Sequence, residues 1–269
     1  MRRKMNSRLL TGLIITGLML AVILLGTFWT PYVPTAMKYG KFSPPSAAHI
    51  FGTDNFGRDI FSRVLKGSGT TLAIALSTVS IGALAGTLIG AVTGYLGGAA
   101  DEILMRLNDA LTAFPSFLLA LLIVSLVGPG KKYSVVLALG LVFIPSFARV
   151  MRAEFATLRG RNFVTGARLM GASNGRILLI HLLPNTVRVL LPALTIGFNN
   201  AVLAEASMSF LGIGVRPPDA SLGYMLSEAQ GMLAKAPWYA LFTGLTIVLL
   251  VFGVGLIGEG LQMQDREVA

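Results

Sequence analysis

Five long stretches of this chain contain no ionisable side chain. They are residues 9–32, 67–100, 110–130, 133–148 and 236–258. A sixth stretch, 189–214, is uncharged except for Glu205. A helix needs about 20 mostly apolar residues to cross a hydrocarbon layer about 30 Å thick. The stretches therefore predict an all-α polytopic membrane protein with about six transmembrane helices. Pro115, Pro145 and Pro192 fall inside predicted spans and indicate kinks there.

The composition indicates that lipid is the main solvent of this chain. Hydrophobic residues make up 54% and charged residues 13%, whereas roughly a quarter of a soluble domain is charged. The 31 glycines suit helices whose backbones approach closely within a bilayer. The absence of cysteine excludes disulfides and thiolate metal sites. His49 and His181 lie far apart in the sequence, and we interpret both as surface residues and not as metal ligands.

The net charge of +10 is distributed around the predicted spans. It does not form a basic stripe with interleaved aromatic residues, so it does not indicate a nucleic-acid partner. The loop of residues 149–188 contains seven arginines and a single acid, Glu154. Positively charged loops remain on the cytoplasmic side of a membrane. With six spans, this loop predicts that both termini are cytoplasmic.

The predicted organisation has four parts. They are an N-terminal cytoplasmic tail with the first transmembrane helix (1–32), an extracytoplasmic loop (33–66), a five-helix core containing the cytoplasmic loop 149–188 (67–260), and a cytoplasmic tail (261–269). The first apolar run follows Arg2, Arg3 and Lys4, as it would in a secretory signal peptide. The run is too long for such a peptide and lacks a small-residue cleavage site, so we interpret it as an uncleaved anchor.

The basic loop contains a short helical pattern. Phe163, Ala167 and Met170 lie at i, i+4 and i+7 and are predicted to share one apolar helix face. Gly171 then offers a helix stop, and Ser173 offers an N-cap for a following helix. Two interpretations follow: the helices lie on the lipid head groups, or they form a knob that inserts into a partner protein.

The segment from Phe163 to Ser173, followed by Pro184 and Asn185, resembles the EAA loop of ABC importer permeases. In that family the loop carries a Glu-Ala-Ala triplet, a later Gly and a downstream Leu-Pro-Asn, and it docks on the ATPase subunit. Here Thr165, Gly166 and Ala167 stand in place of the triplet. The resemblance implies an ATPase-coupling loop made of Arg161, Phe163, Val164, Thr165, Gly166, Ala167, Met170, Gly171, Ala172, Pro184 and Asn185.

Two further segments are similar to the C-type permease of dipeptide, oligopeptide and nickel importers. The segment Glu205 to Gly214 resembles its Ser-Phe-Leu-Gly-Leu-Gly stretch. The first predicted outer loop resembles its Leu-Gly-Thr-Asp…Gly-Arg-Asp signature, through Gly52, Thr53, Asp54, Gly57, Arg58 and Asp59. From the residues alone, Arg58 pairs with Asp54 or Asp59 in a surface turn, worth at most about 1 kcal/mol. The alternative is direct contact with a docked binding protein.

Glu205 is the one ionisable residue well inside an apolar span. Burying it without a partner would cost at least about 2.5 kcal/mol, so it is expected to face the bundle, a cavity or a partner. We therefore name Glu205, together with Ser209, as a candidate pathway or gate residue. The alternative is that Glu205 lies near the outer interface and bonds neighbouring backbone or Ser207.

The resemblance implies a type I ABC importer permease fold and a set of partners. These are a second homologous permease, two ABC ATPase subunits that carry ATP and Mg, an extracytoplasmic solute-binding protein and the lipid bilayer of a bacterial or archaeal cytoplasmic membrane. No P-loop or catalytic constellation is apparent in the sequence, so we expect no enzymatic activity and no cofactor bound by this chain. Peptides are the expected solutes, and nickel or a metal chelate is the alternative. An ion-driven secondary transporter is the alternative of another class.

Overall fold

The structure, a computed structural model, describes residues 6–266. Within that range the chain forms ten α-helices and one π-helical segment, and it contains isolated β-bridges but no extended strand. The helices are α1 (Ser7–Phe28), α2 (Ile60–Leu96), α3 (Gly98–Thr112), α4 (Ser116–Val127), α5 (Lys132–Arg159), α6 (Asn162–Leu169), α7 (Asn174–Arg176), the π segment (Ile177–Leu182), α8 (Leu183–Phe210), α9 (Leu222–Gln230) and α10 (Pro237–Arg266). Arg2, Arg3, Lys4 and residues 267–269 lie outside the described residues.

Among residues 6–266, five helices are long and apolar enough to cross a membrane. They are α1, α2, α5, the continuous helix Asn174–Phe210 that ends with α8, and α10. The predicted span 110–130 is not one straight helix, because α3 and α4 form a pair bent by 86°. The 12 residues of α4 extend only about 18 Å, too little to cross the hydrocarbon alone. Counting the bent pair as one span gives the predicted six.

Local chemistry explains where these helices begin and end. Helix α2 starts at Ile60, before the uncharged stretch that begins at residue 67, because the carboxylate of Asp59 accepts the backbone N–H of Ser62 at 2.8 Å. It stops at Leu96 because Gly97 and Gly98 adopt φ values of 67° and 60°, which glycine tolerates best. Pro115 separates α3 from α4, since the residue before a proline is disfavoured in a helix.

Glycines at every fourth position of α2 allow α5 to pack closely against it. They are Gly82, Gly86, Gly90 and Gly94. A Cβ atom added at Gly82 would lie 2.9 Å from Cβ of Phe143, and one added at Gly90 would lie 2.7 Å from Cβ of Met151. Later residues of α2 contact later residues of α5, so the two helices run parallel. The α3–α4 pair returns the chain to the start of α5.

Two apolar cores lie towards opposite ends of this bundle. One joins α1, α2, α8, α9 and α10 and includes Ile60, Leu222 and Tyr239. The other includes Tyr95 and Phe155 and joins the ends of α2 and α5 to α6 and the π segment. We call the end with α6 and α7 the loop end, and the end at the start of α2 the opposite end. The two ends carry the two motif regions described below.

Candidate functional site

The helix stop predicted at Gly171 is present at the loop end. Gly171 has φ +81° and donates its N–H to the carbonyl of Arg168 at 2.9 Å. The next N–H, of Ala172, donates to the carbonyl of Ala167 at 3.0 Å. These two bonds form a Schellman motif, in which glycine occupies the left-handed position. The hydroxyl of Ser173 then accepts the N–H of Arg176 at 3.4 Å and caps α7, as the sequence predicts.

The apolar face predicted for this loop is mostly exposed. Of its three residues only Ala167 is buried, and it packs beside Val164, which is fully buried. Phe163 is 43% exposed and Met170 is 84% exposed. The reason is that Met170 caps the helix and lies in the turn, where the helical period no longer determines its direction. Met170 and its neighbour Leu169, 85% exposed, therefore form an apolar tip.

The positions that differ from the Glu-Ala-Ala triplet lie on the outside of α6. Thr165 is exposed, as is Arg161, which precedes the helix. A Cβ atom added at Gly166 or at Gly171 would meet nothing within 4 Å. The loop thus presents small, open positions beside its apolar tip.

The loop is tied to the transmembrane helices at both of its ends. The hydroxyl of Tyr95, in α2, donates to the side chain of Asn174 at 2.9 Å. Arg159, at the end of α5, donates to the carbonyl of Tyr95 at 3.1 Å. Pro184 and Asn185 lie exposed at the start of α8, where the amide of Asn185 donates to the carbonyl of His181 at 2.6 Å. These bonds connect the loop to α2, α5 and α8.

A buried ionic network occupies the opposite end. Its members are Asp54, Arg58, Arg63, Glu228 and Tyr239. Arg58 donates to Asp54 at 2.6 Å and to Glu228 at 2.9 Å, and Arg63 donates to the same carboxylates at 2.6 and 2.7 Å. The hydroxyl of Tyr239 lies 2.9 Å from both Arg63 and Glu228. The network joins the loop before α2 to α2, α9 and α10.

The predicted ion pair of Arg58 with Asp54 is present, but its predicted position at the surface is wrong. Asp54 has no exposed surface, and Arg58 and Arg63 are 9% and 4% exposed. Asp59 does not pair with Arg58, because one of its oxygens caps α2 and the other lies 2.8 Å from Nδ1 of His49. His49, predicted at the surface, has a side chain only 12% exposed. Its ring packs against the rings of Tyr32 and Tyr39.

The remaining signature residues shape the loop around this network. Gly52 and Gly57 have φ values of 74° and 71°. A side chain at Gly52 would collide with the carbonyl of Ser43 and with the ring of Trp238. Thr53 is fully buried, and its hydroxyl accepts the N–H of Ser43 at 2.8 Å. The signature thus builds a folded loop whose Asp54 points into the network.

Sequence reasoning missed Arg63, Glu228 and Tyr239 as members of the network. Arg63 lies five residues after Arg58, and this proximity in the sequence is the only available signal. Glu228 and Tyr239 come from α9 and α10, far along the chain, and nothing near them indicates a partner.

The network makes the stability of the chain depend on pH. Burial raises the pKa of the Glu228 carboxyl, but the charges of Arg63 and Arg58 outweigh this effect, and its pKa lies below its ordinary value of 4.5. The folded chain therefore binds this proton more weakly than the unfolded chain. The stability that Glu228 contributes is complete above about pH 4.5 and is lost as the pH falls below that value.

We expect acid to lower the thermal unfolding midpoint of the detergent-solubilised chain more than that of a Glu228→Gln variant. The variant begins with a lower midpoint at about pH 7, because it lacks the charge. The midpoints can be followed by intrinsic fluorescence between about pH 7 and pH 3.5. Equal decreases of the unfolding midpoint in the two proteins would contradict the assignment of this pH dependence to Glu228.

Glu205 lies inside the protein, between α8 and α2. It is fully buried, and its two oxygens accept hydroxyls from Thr71 of α2 at 2.9 Å and from Ser209 at 2.7 Å. The alternative partner Ser207 bonds the carbonyl of Leu203 instead. Ser209 is also buried, and its hydroxyl accepts the N–H of Val215. The pair fastens the end of α8 to α2.

Comparisons with known proteins identify the family. Residues 86–262 match the family described as binding-protein-dependent transport system inner membrane component. The chain is 37% identical to the dipeptide transport system permease protein DppC of Alkalihalophilus pseudofirmus, over 96% of this chain and 85% of that protein. It is 41% identical to a putative peptide transport system permease protein of Brucella suis, over 91% and 83%. It is 37% identical to the glutathione transport system permease protein GsiD of Pectobacterium atrosepticum, over 91% and 83%.

A solved structure has the same fold. A chain of the MetNI methionine ABC transporter, in an inward facing conformation, superposes with a TM-score of 0.61 at 19% identity, over 77% of this chain and 96% of that chain. This confirms the predicted all-α membrane fold of a type I ABC importer permease. The chain belongs to the family of binding-protein-dependent transport system inner membrane components, which are multi-pass permeases of ABC importers.

Proposed function

We propose that this chain forms half of a peptide translocation pathway and couples it to ATPase subunits through its basic loop. The apolar tip of Leu169 and Met170 carries the coupling part of the proposal. Two large apolar side chains that are about 85% exposed at the end of α6 suit insertion into a partner. Asn174 is hydrogen-bonded to Tyr95 of α2, which in turn accepts a hydrogen bond from Arg159 of α5. A partner that moves the loop would therefore also move these two spans.

The pathway part of the proposal is supported by polar side chains in the middle of two spans. Ser146 and Asn200 lie near the midpoints of α5 and α8, and both are exposed. They line a cavity of about 160 Å³ between the two helices. Polar groups are costly in hydrocarbon. We therefore assign this face of α5 and α8 to the pathway shared with a second permease, instead of to lipid.

The charge of the loop supports an orientation of the chain in the membrane. That orientation determines where each proposed partner would bind. The seven arginines of residues 149–188 support a cytoplasmic position of the loop end, because positively charged loops remain on that side. ATP and Mg are then bound by two ATPase subunits docked at this end, and a solute-binding protein delivers the solute at the opposite end. ATP binding shifts the bundle between outward and inward access as a two-state population shift.

Peptides are the proposed solutes. Support comes from relatives named as dipeptide, peptide and glutathione transport permeases. Glutathione is itself a short peptide with free carboxylates, so these names share one solute chemistry.

The test is a charge placed on the apolar tip. We expect Met170→Asp to abolish ATP-dependent peptide uptake in vesicles containing the complete complex, because the aspartate would have to be desolvated in the partner's groove. Binding of the ATPase subunits during purification should fall about ten-fold or more. The side chain is exposed, so membrane insertion and the thermal midpoint should be unchanged.

Thr157→Asp serves as the control, since it adds the same charge at an exposed position on α5 near the same end. It should transport like the wild type. Full uptake by Met170→Asp would refute the coupling role. If Met170→Asp retained its ATPase subunits but lost affinity for anionic vesicles, the loop would instead be a membrane-surface element.

A further inference from the structure

A second cavity, of about 390 Å³, lies at the opposite end beside the ionic network. Four cationic side chains line it: Arg58, Arg63, Lys66 and Lys132. They come from the loop before α2, from α2 itself and from the start of α5. Asp219, in the connection between α8 and α9, is the single carboxylate in the lining.

Three of the four cations already have partners. Arg58 and Arg63 pair with Asp54 and Glu228, and Lys132 lies 2.8 Å from Asp219. Lys66 is exposed and forms no ion pair within the part of the chain that the structure describes. These four cations thus face three carboxylates, and the cavity carries one excess positive charge. The buried network fixes two of the cations in place, so the charge is organised before any ligand arrives.

The volume of the cavity falls within the range of about 300–1,000 Å³ typical of small-molecule sites. Its lining also contains apolar surface, from Met37 and from the two prolines Pro217 and Pro218. An anionic head with a small apolar body matches this lining. The exposed Lys132–Asp219 pair, with side chains 43% and 49% exposed, can open to offer Asp219 to an ammonium group.

We propose that this cavity binds the C-terminal carboxylate of a short peptide, with Lys66 as the principal contact and Asp219 near the peptide's amino group. The proposal rests on the proposed function and names a site for the solute at the opposite end of the bundle. A solute is favoured over an acidic side chain of the binding protein because the cavity has both a free cation and a carboxylate, matching a zwitterion.

The first experiment measures binding of alanyl-alanine, alanyl-alanine amide and acetate to the full chain in lipid nanodiscs by saturation-transfer NMR. The dipeptide should bind at least about ten-fold more tightly than its amide, because loss of a charge-assisted contact has that effect. Acetate should compete. Lys66→Gln should remove the preference for the free carboxylate. Its thermal midpoint should stay unchanged, because the side chain is exposed.

Lys131→Gln is the matched control. It removes an equal charge from an exposed residue next to Lys132 that does not line the cavity. It should bind like the wild type. Equal binding of the dipeptide and its amide, or equal effects of the two lysine variants, would overturn the proposal. The proposal would also be overturned if the Lys66→Gln variant bound the solute-binding protein more weakly but bound the dipeptide as the wild type does. The cavity would then be a protein contact.

Peptide uptake by the complete complex separates this inference from the proposed function. If Lys66→Gln transports peptide as the wild type does and binding is unaffected, the site assignment fails while the permease function stands. If the wild-type complex transports no peptide but the cavity still prefers the free carboxylate, the solute assignment fails and the carboxylate site stands.

Discussion

An Arg63→Met variant should be strongly destabilised. The guanidinium of Arg63 donates to Asp54 and to Glu228 and lies beside Tyr239. Methionine can fill part of the space, but it leaves Asp54, which has no exposed surface, with one cation instead of two. Breaking a buried ion pair by removing one partner costs about 3–5 kcal/mol. That is a large fraction of the total stability of a typical protein.

The measurement is the thermal midpoint and the yield of monodisperse chain in detergent. Lys66→Met is the control, because it removes a cation from the next turn of α2 at an exposed position. It should behave like the wild type. Adding Glu228→Gln to Arg63→Met should recover part of the loss, since Arg58 would then balance one carboxylate, Asp54, instead of two. A midpoint for Arg63→Met equal to that of Lys66→Met would show that the network is not stabilising.

Replacing Gly90 with leucine should prevent α2 and α5 from packing. A Cβ atom at Gly90 would lie 2.7 Å from Cβ of Met151, 2.7 Å from the backbone nitrogen of Arg152 and 2.8 Å from the carbonyl of Ala148. Two of these atoms are backbone, so no rotamer change relieves the contact, and the helices must separate. Overpacking alone costs about 1–3 kcal/mol, and separation also loses the contacts at Gly86 and Gly94.

The same leucine at Gly17 is the control. A Cβ atom there meets nothing within 4 Å, and the midpoint should not fall. Gly90→Ala should lie between the wild type and Gly90→Leu. The readouts are size-exclusion profiles and thermal midpoints in detergent. A Gly90→Leu protein as stable as Gly17→Leu would mean that α5 does not approach α2 as closely as described.

Some features of this protein could be predicted from the sequence, and others could not. The uncharged stretches determined the fold class and the number of spans, because hydrocarbon excludes charge and unpaired backbone along any chain. The stop at Gly171 and the cap at Ser173 were also predictable, since caps depend on residues within one turn. The 31 glycines indicated close helix packing, but they did not identify α2 and α5 as the helices that approach each other.

Three-dimensional packing determined the rest. Asp54 and Arg58 are neighbours in the sequence and suggested a surface turn, but Glu228 and Tyr239 arrive from α9 and α10 and make the pair a buried network. The break between α3 and α4 depends on which contacts the helices make, so a single proline could not determine its angle. The sequence alone determined what depends on local chemistry and solvent. Burial and charge pairing between distant segments were decided only when the helices packed, because both depend on neighbours that the order of residues does not specify.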